Sequence, residues 1–173
     1  MSHLDDLISR FTAQRDILNC ALRELADEHF APRLVAVELG LGSGRTYDHL
    51  RAGLGGRELF AFDHRVETHP GFEPPADRII LGDISETFPR FATNRAAGAC
   101  LIHIDIGTRN RAADLPRYER IVPWVGVLAA RRALVISDRA LDADFLEAVQ
   151  PGGQPLGWPY ALGWPYFLYR HKT

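Results

Sequence analysis

The chain has 173 residues, a formal net charge of −2, 46% hydrophobic and 24% charged residues. That is the length of one ordinary domain with room for a real core, and too hydrophobic for a disordered chain. The slightly acidic balance argues against nucleic acid or an anionic membrane as the main partner, since neither would be attracted.

The N-terminus, MSHLDDLISR, carries acids where a signal peptide needs a basic flank and an apolar core. No apolar run approaches the roughly 20 residues of a membrane span. Cys20 and Cys100 stand in neither a C-x-x-C nor a zinc spacing. They read as free, buried thiols in a reducing cytoplasm, which sets the expected location.

Taken in chain order, Leu4, Leu7, Ile8, Phe11, Leu18, Leu22 and Leu25 recur at helical spacing over 4–29, with a polar interruption at 12–14. Pro32 closes this segment. LVAVEL (34–39) reads as a buried strand, and a helix from Gly44 ends at Gly53, Gly55 and Gly56. ELFAF (58–62) is a second strand ending at Asp63, and the proline-rich stretch 64–77 is a loop. RIIL (78–81) runs into Gly82-Asp83, and Ser85 is the expected N-cap of a short helix to about Arg95. ACLIHI (99–104) ends at Asp105, GTRNRAAD (107–114) is a loop, and a helix starts near Pro116. ALVIS (133–137) ends at Asp138, and 141–149 reads as helix. The tail repeats GWPY at 157–160 and 163–166 and is expected to form an aromatic hairpin on the sheet edge.

Strands alternating with helices predict an α/β domain, a doubly wound and mostly parallel sheet with right-handed crossovers. One domain is expected: an N-terminal helical segment (1–32), a core (33–140), and a C-terminal helix with aromatic hairpin (141–173).

The strand ends carry the chemistry. Five predicted strands finish at or beside an acid: Glu38, Asp63, Asp83, Asp105 and Asp138. In an open parallel sheet, ligands bind beyond the carboxyl ends of the strands. Gly40, Gly42 and Gly44 follow the first strand, yet the register is wrong for a dinucleotide fingerprint, because Arg45 and Tyr47 stand where the third glycine belongs. No Walker lysine is present either. A cationic ligand without phosphate suits a crevice lined with carboxylates, and S-adenosylmethionine offers a sulfonium, an ammonium, a ribose diol and an adenine amine.

VELGLGSG (37–44) resembles the first motif of class I S-adenosylmethionine-dependent methyltransferases, and the chain is similar to the small single-domain bacterial type. FAFD (60–63), GDI (82–84), HID (103–105) and LVISD (134–138) resemble the later motifs in order, over about residues 34–140. The resemblance implies a Rossmann-like methyltransferase topology, with S-adenosyl-L-methionine as cofactor and S-adenosyl-L-homocysteine as product. It implies cofactor contacts from Gly40, Leu41, Gly42 and Gly44, with Glu38 near the methionine end and Thr46 on its carboxylate. It also implies ribose recognition by Asp63 with His64 beside the adenine, adenine recognition by Gly82, Asp83 and Ile84, and Asp105 facing the methionine moiety or the acceptor. Where the family usually has a helix, this chain has the proline-rich 64–77 stretch.

Asp105 and His103 are the catalytic candidates, with His49 and Asp138 as further bases; His103 also fits a buried structural histidine. Asp105 and Asp138 lack a third ligand, so no metal is expected. Arg109, Arg111 and Asp138 are candidate acceptor contacts, the arginines for an anionic group. With no separate substrate domain, a small-molecule acceptor is expected, and an uncovered site favours a homodimer or tetramer. The competing readings are a non-catalytic S-adenosylmethionine-binding regulator and an NAD-dependent oxidoreductase.

Overall fold

The computed structural model describes residues 2–108, 110–149 and 165–172. The elements are α1 (His3–Asp27), β1 (Val35–Leu39), α2 (Arg45–Gly53), β2 (Leu59–Asp63) and β3 (Ile79–Leu81). Then follow α3 (Ile84–Asn94), β4 (Ala99–Ile104), α4 (Arg111–Leu128), β5 (Ala129–Ser137), β6 (Leu146–Ala148) and β7 (Phe167–His171). They form a seven-stranded sheet in the order β3-β2-β1-β4-β5-β7-β6.

The first five strands of that order run parallel. Their residues are V, I, L, F and A runs, and β1, β2 and β4 are buried throughout, as a sheet covered on both faces requires. The chain steps outward from β1 to β3 and then crosses back to β4. Right-handed crossovers therefore put α2 on one face and α3 and α4 on the other. The switch in direction lies between β1 and β4, and a crevice opens there at the carboxyl ends.

Helix α1 is continuous through the polar interruption at 12–14. A capping box starts it: Ser2 Oγ accepts from Asp5 N, and the Asp5 carboxylate accepts from Ser2 N. Its core face begins at Ala13 and continues through Ile17, Leu18, Ala21 and Leu25. Leu4, Ile8 and Phe11 are exposed.

Three expectations are corrected. Residues 141–149 are not helical: Leu146–Ala148 is strand β6, antiparallel to β7, and Phe145 packs its ring against His171. The open flank of β7 supplies ladder bonds that a short helix would forgo. The antiparallel edge therefore joins β6 to β7 across a long sequence gap. Of the two GWPY motifs, only Pro165 and Tyr166 fall within the described residues. Helix α3 is capped by Asp83 instead of Ser85, whose N–H and hydroxyl both donate to Asp83 Oδ1. Helix α4 starts at Arg111, because Asn110 Oδ1 accepts from Ala113 N and makes the cap earlier than Pro116. Both cysteines are free and buried, and the 64–77 stretch contains no helix.

Candidate functional site

A cleft of about 830 Å³ lies over the strand ends, within the usual range for small-ligand sites. Its floor comes from three turns. Gly40, Leu41 and Gly42 follow β1, Asp63 and His64 end β2, and Gly82, Asp83 and Ile84 lead into α3. Asp105, Ile106, Gly107 and Thr108 follow β4 and form one wall. Leu7, Arg10, Phe11 and Gln14 of α1 form the other. Gly40 is dictated by close approach: its φ is +95°, and a Cβ there would lie 2.3 Å from Asp105 O.

Hydrogen bonds hold each of the three cleft acids in place. Asp63 Oδ2 accepts from Gly42 N at 2.9 Å, and its Oδ1 accepts from His64 N at 2.7 Å. This fixes the carboxylate between the first two turns. Asp83 uses Oδ1 for the α3 cap, and the Ser85 bonds, the largest influence, hold its pKa below the ordinary aspartate value. Asp105 Oδ2 accepts from Gln14 Nε2 at 2.5 Å and lies 3.7 Å from Arg10 Nη2. Among the described residues, Asp105 Oδ1 is enclosed and has no hydrogen-bond partner. A buried, unpaired carboxylate oxygen is costly, so its presence on a cleft wall marks a place for a ligand's donor.

Glu38 and His103 lie beneath this floor. They are cross-strand partners on β1 and β4, both at 0% exposure, with His103 Nδ1 3.2 Å from Glu38 Oε1. Thr46 lines the cleft, but its hydroxyl donates to Glu38 Oε1. The hydroxyl is therefore committed downward, away from any carboxylate above. Burial pushes the Glu38 pKa up. Burial opposes charge on His103, but the bond and charge of Glu38 outweigh it and hold the histidine above its usual value. Loss of the proton the two share would strand a carboxylate in the core. His103 is thus walled off from the cleft, which removes it as a base touching substrate. His49 faces α1 instead, with Nε2 2.8 Å from Asn19 Oδ1. Gly44 is the left-handed cap residue of α2 and packs under Thr68 and Phe72 instead of lining the cleft.

Asp138 also departs from expectation. It is 7% exposed, and both oxygens are engaged: Tyr118 OH donates to Oδ1, and Arg139 Nη1 donates to Oδ2 at 2.9 Å. Arg139 Nη2 reaches Asp114 Oδ2 at 2.8 Å and Thr108 O at 2.5 Å. Asp114 in turn takes Thr108 N and Thr108 Oγ1 at 2.7 and 2.8 Å. Gly107 fits only as glycine, since a Cβ would lie 2.2 Å from Asp138 Oδ2. This network clamps the 106–108 wall from behind. Burial and the Asp105 charge raise the Asp138 pKa to about 6. With its oxygens engaged, Asp138 is neither an open metal ligand nor an acceptor contact, and no group of three metal-binding side chains occurs among the described residues. Arg111 is the first residue of α4, and Arg109 lies outside the described residues.

Sequence reasoning missed the α1 wall, Arg45, Arg117 and Arg139. The signal for the first was available. The polar break at 12–14 marks where α1 leaves the core and passes over the cleft, with Gln14 buried by its bond to Asp105.

Comparisons with known proteins agree with this architecture. The profile of a family described as S-adenosyl-L-methionine methyltransferase matches residues 1–170. An S-adenosyl-L-methionine methyl transferase from Silicibacter pomeroyi DSS-3 superposes with a TM-score of 0.84 at 35% identity, covering 99% of each chain. A chain of the fibrillarin/Nop5p complex superposes with a TM-score of 0.57 at 15% identity, over 90% of this chain and 81% of that one. TrmN from Thermus thermophilus does so at 0.57 and 19%, over 88% of this chain and 47% of that one. At such identities these last two attest the fold alone. No curated protein matches the sequence. No described helix is long and apolar enough to cross a membrane.

Proposed function

The chain belongs to the S-adenosyl-L-methionine methyltransferase family, and from that premise we propose that it methylates a small-molecule acceptor seated between Asp105 and helix α1. S-adenosylmethionine, the cofactor of the family, supplies an electrophilic methyl group on a sulfonium. The observation that supports its placement is the row of strand-end carboxylates along the cleft, Asp63 and Asp83 beneath it and Asp105 beside it. Asp63, locked by Gly42 N and His64 N, is positioned to accept from a ribose diol. Asp83 offers Oδ2 to the adenine amine while Oδ1 serves the helix cap, and Ile84 packs beside the ring. The backbone at Gly40 and Gly42 admits the methionine portion.

The chain's own work is positioning. Helix α1 and the clamped 106–108 wall hold the acceptor over the methyl group, an arrangement that contributes up to about 7–11 kcal/mol in well-oriented reactions. Gln14 and Arg10 fix one oxygen of Asp105, which leaves Oδ1 to orient the nucleophile and to take its proton where it carries one. The net charge of −2 favours a small acceptor over nucleic acid.

Thermal unfolding with S-adenosylmethionine, S-adenosylhomocysteine and NAD in parallel tests the assignment. A ligand at 100 times its Kd adds about 2.7 kcal/mol, a shift of roughly 5–10 °C for a domain of this size. Shifts with the first two and none with NAD are expected. A shift with NAD alone would sink the cofactor placement. Binding without turnover across an acceptor panel would favour a regulatory binder.

A further inference from the structure

The charges of the cleft are segregated. Acids line the strand ends (Asp63, Asp83, Asp105), and arginines come from the helices: Arg10 from α1, Arg45 from α2 and Arg117 from α4. The acids suit the cationic cofactor, and the arginines call for something negative.

Arg45 differs from the other two. Arg10 is paired with Asp105. Arg117 donates to Ile106 O at 3.1 Å, and its charge bears on Asp83. The Arg45 guanidinium is held by neutral groups on three sides. Nη1 donates to Ser43 Oγ at 2.8 Å, Nη2 meets His69 Nε2 at 2.8 Å, and the carbon lies 5.1 Å from the centre of the Phe11 ring. An arginine only donates, so His69 Nε2 is the acceptor and its ring hydrogen sits on Nδ1. Neither Arg45 nor these partners form an ion pair within the described residues. Its terminal nitrogens each keep a second hydrogen, a fork that fits an oxyanion. The loop behind Arg45 is fixed as well, since His69 N donates to Ser43 O at 3.1 Å.

The geometry also limits the size of the ligand. Phe11, under Arg45, and Gln14, on Asp105, are one helical turn apart on α1, about 4.5 Å along the axis. Leu7 and Phe11 give this wall an apolar surface.

We propose that the methyl acceptor is a small anion with an apolar body, its carboxylate or phosphate held by Arg45 while its nucleophile lies at Asp105. This rests on the methyltransferase reading above. Arg45 thereby replaces Arg109 and Arg111 as the residue expected to read an anionic acceptor.

The test has two stages. Calorimetry first measures S-adenosylhomocysteine binding to the wild type and to Arg45→Gln. Then 3-phenylpropionate, phenyl phosphate and the neutral 3-phenylpropanamide are titrated into protein saturated with S-adenosylhomocysteine. At least one anion should bind about tenfold or more tighter than the amide, as one charge-assisted contact implies. Which anion wins identifies the group. Arg45→Gln should erase the preference and leave S-adenosylhomocysteine affinity within about twofold. Equal binding of anions and amide, no binding by either anion, or a preference that survives Arg45→Gln would overturn the proposal. So would anions that displace S-adenosylhomocysteine, or a variant that loses it, because Arg45 would then read the cofactor's own carboxylate. If S-adenosylhomocysteine fails to bind the wild type at all, the cofactor assignment falls first and this inference with it.

Discussion

Asp63 and Asp138 both end parallel strands of one sheet, and both are nearly buried, at 9% and 7% exposure. Their surroundings set them apart. Around Asp63 the donors are backbone N–H groups of the glycine turn and of the next residue, and the exposed His64 ring stands with Nδ1 2.8 Å from Oδ1; together they orient the carboxylate on the cleft floor. Around Asp138 stand a tyrosine hydroxyl and the guanidinium of Arg139, which satisfy it. Asp138, with both oxygens taken by buried partners, is a brace, whereas Asp63 still lines the cleft. Position in the sheet does not decide this.

The largest way to break the contrast is to remove the cation. Arg139→Met leaves Asp114 and Asp138 buried and unpaired, and stranding buried partners costs about 3–5 kcal/mol. Urea unfolding should record that loss, and a loss under about 1 kcal/mol would mean the network is less enclosed than its geometry implies.

The next effect concerns pH. The folded pKa of Asp138 is raised from 3.8 to about 6. The folded state therefore binds this proton more tightly than the unfolded chain. The stabilisation is full below about 4 and is lost as pH rises through 6, roughly 3 kcal/mol if unopposed. Asp138→Asn should flatten that part of the stability profile, measured by denaturant midpoints between pH 4 and 7. Asp114 acts in the opposite sense. Burial works against its charge, but bonds from Thr108 and Arg139 win and lower its pKa. Its contribution is therefore lost only as pH falls below the ordinary aspartate range.

On the binding side, Asp63→Ala should weaken S-adenosylhomocysteine by about 1.5–3 kcal/mol, roughly 10- to 150-fold, as calorimetry would read it. Unchanged affinity would remove the ribose assignment. The smallest effect separates two duties of one side chain. Asp83→Asn keeps a good N-cap, so stability should hold within about 0.5 kcal/mol while cofactor affinity drops. Asp83→Ala should lose about 1 kcal/mol of stability as well.

Much of this was legible in the sequence for a physical reason. The inner strands are apolar runs that stop abruptly at an acid, as in FAFD and LVISD, so their ends and the floor they form can be read directly. What failed to show had no local signature. Strand β6 is three residues long and exists because β7 needs a neighbour. Arg139 looks like any loop arginine after Asp138, and nothing local says that it reaches Asp114, 25 positions earlier. His103 beside Asp105 reads equally as a base or as core, and only its burial against Glu38 decides.

The order of the sheet has one more consequence. Among the described residues its edges are β3 and β6, each of three residues, while the long apolar strands lie inside. Arg78 stands directly before β3, and Glu147 sits mid-way along β6. An arriving chain therefore meets few unpaired backbone groups, flanked by charge, and gains little ladder from docking there. Segments such as ACLIHI and LVIS would be sticky if they stood at a border. Carried inside, they are shielded for as long as the protein stays folded, so resistance to aggregation depends on stability.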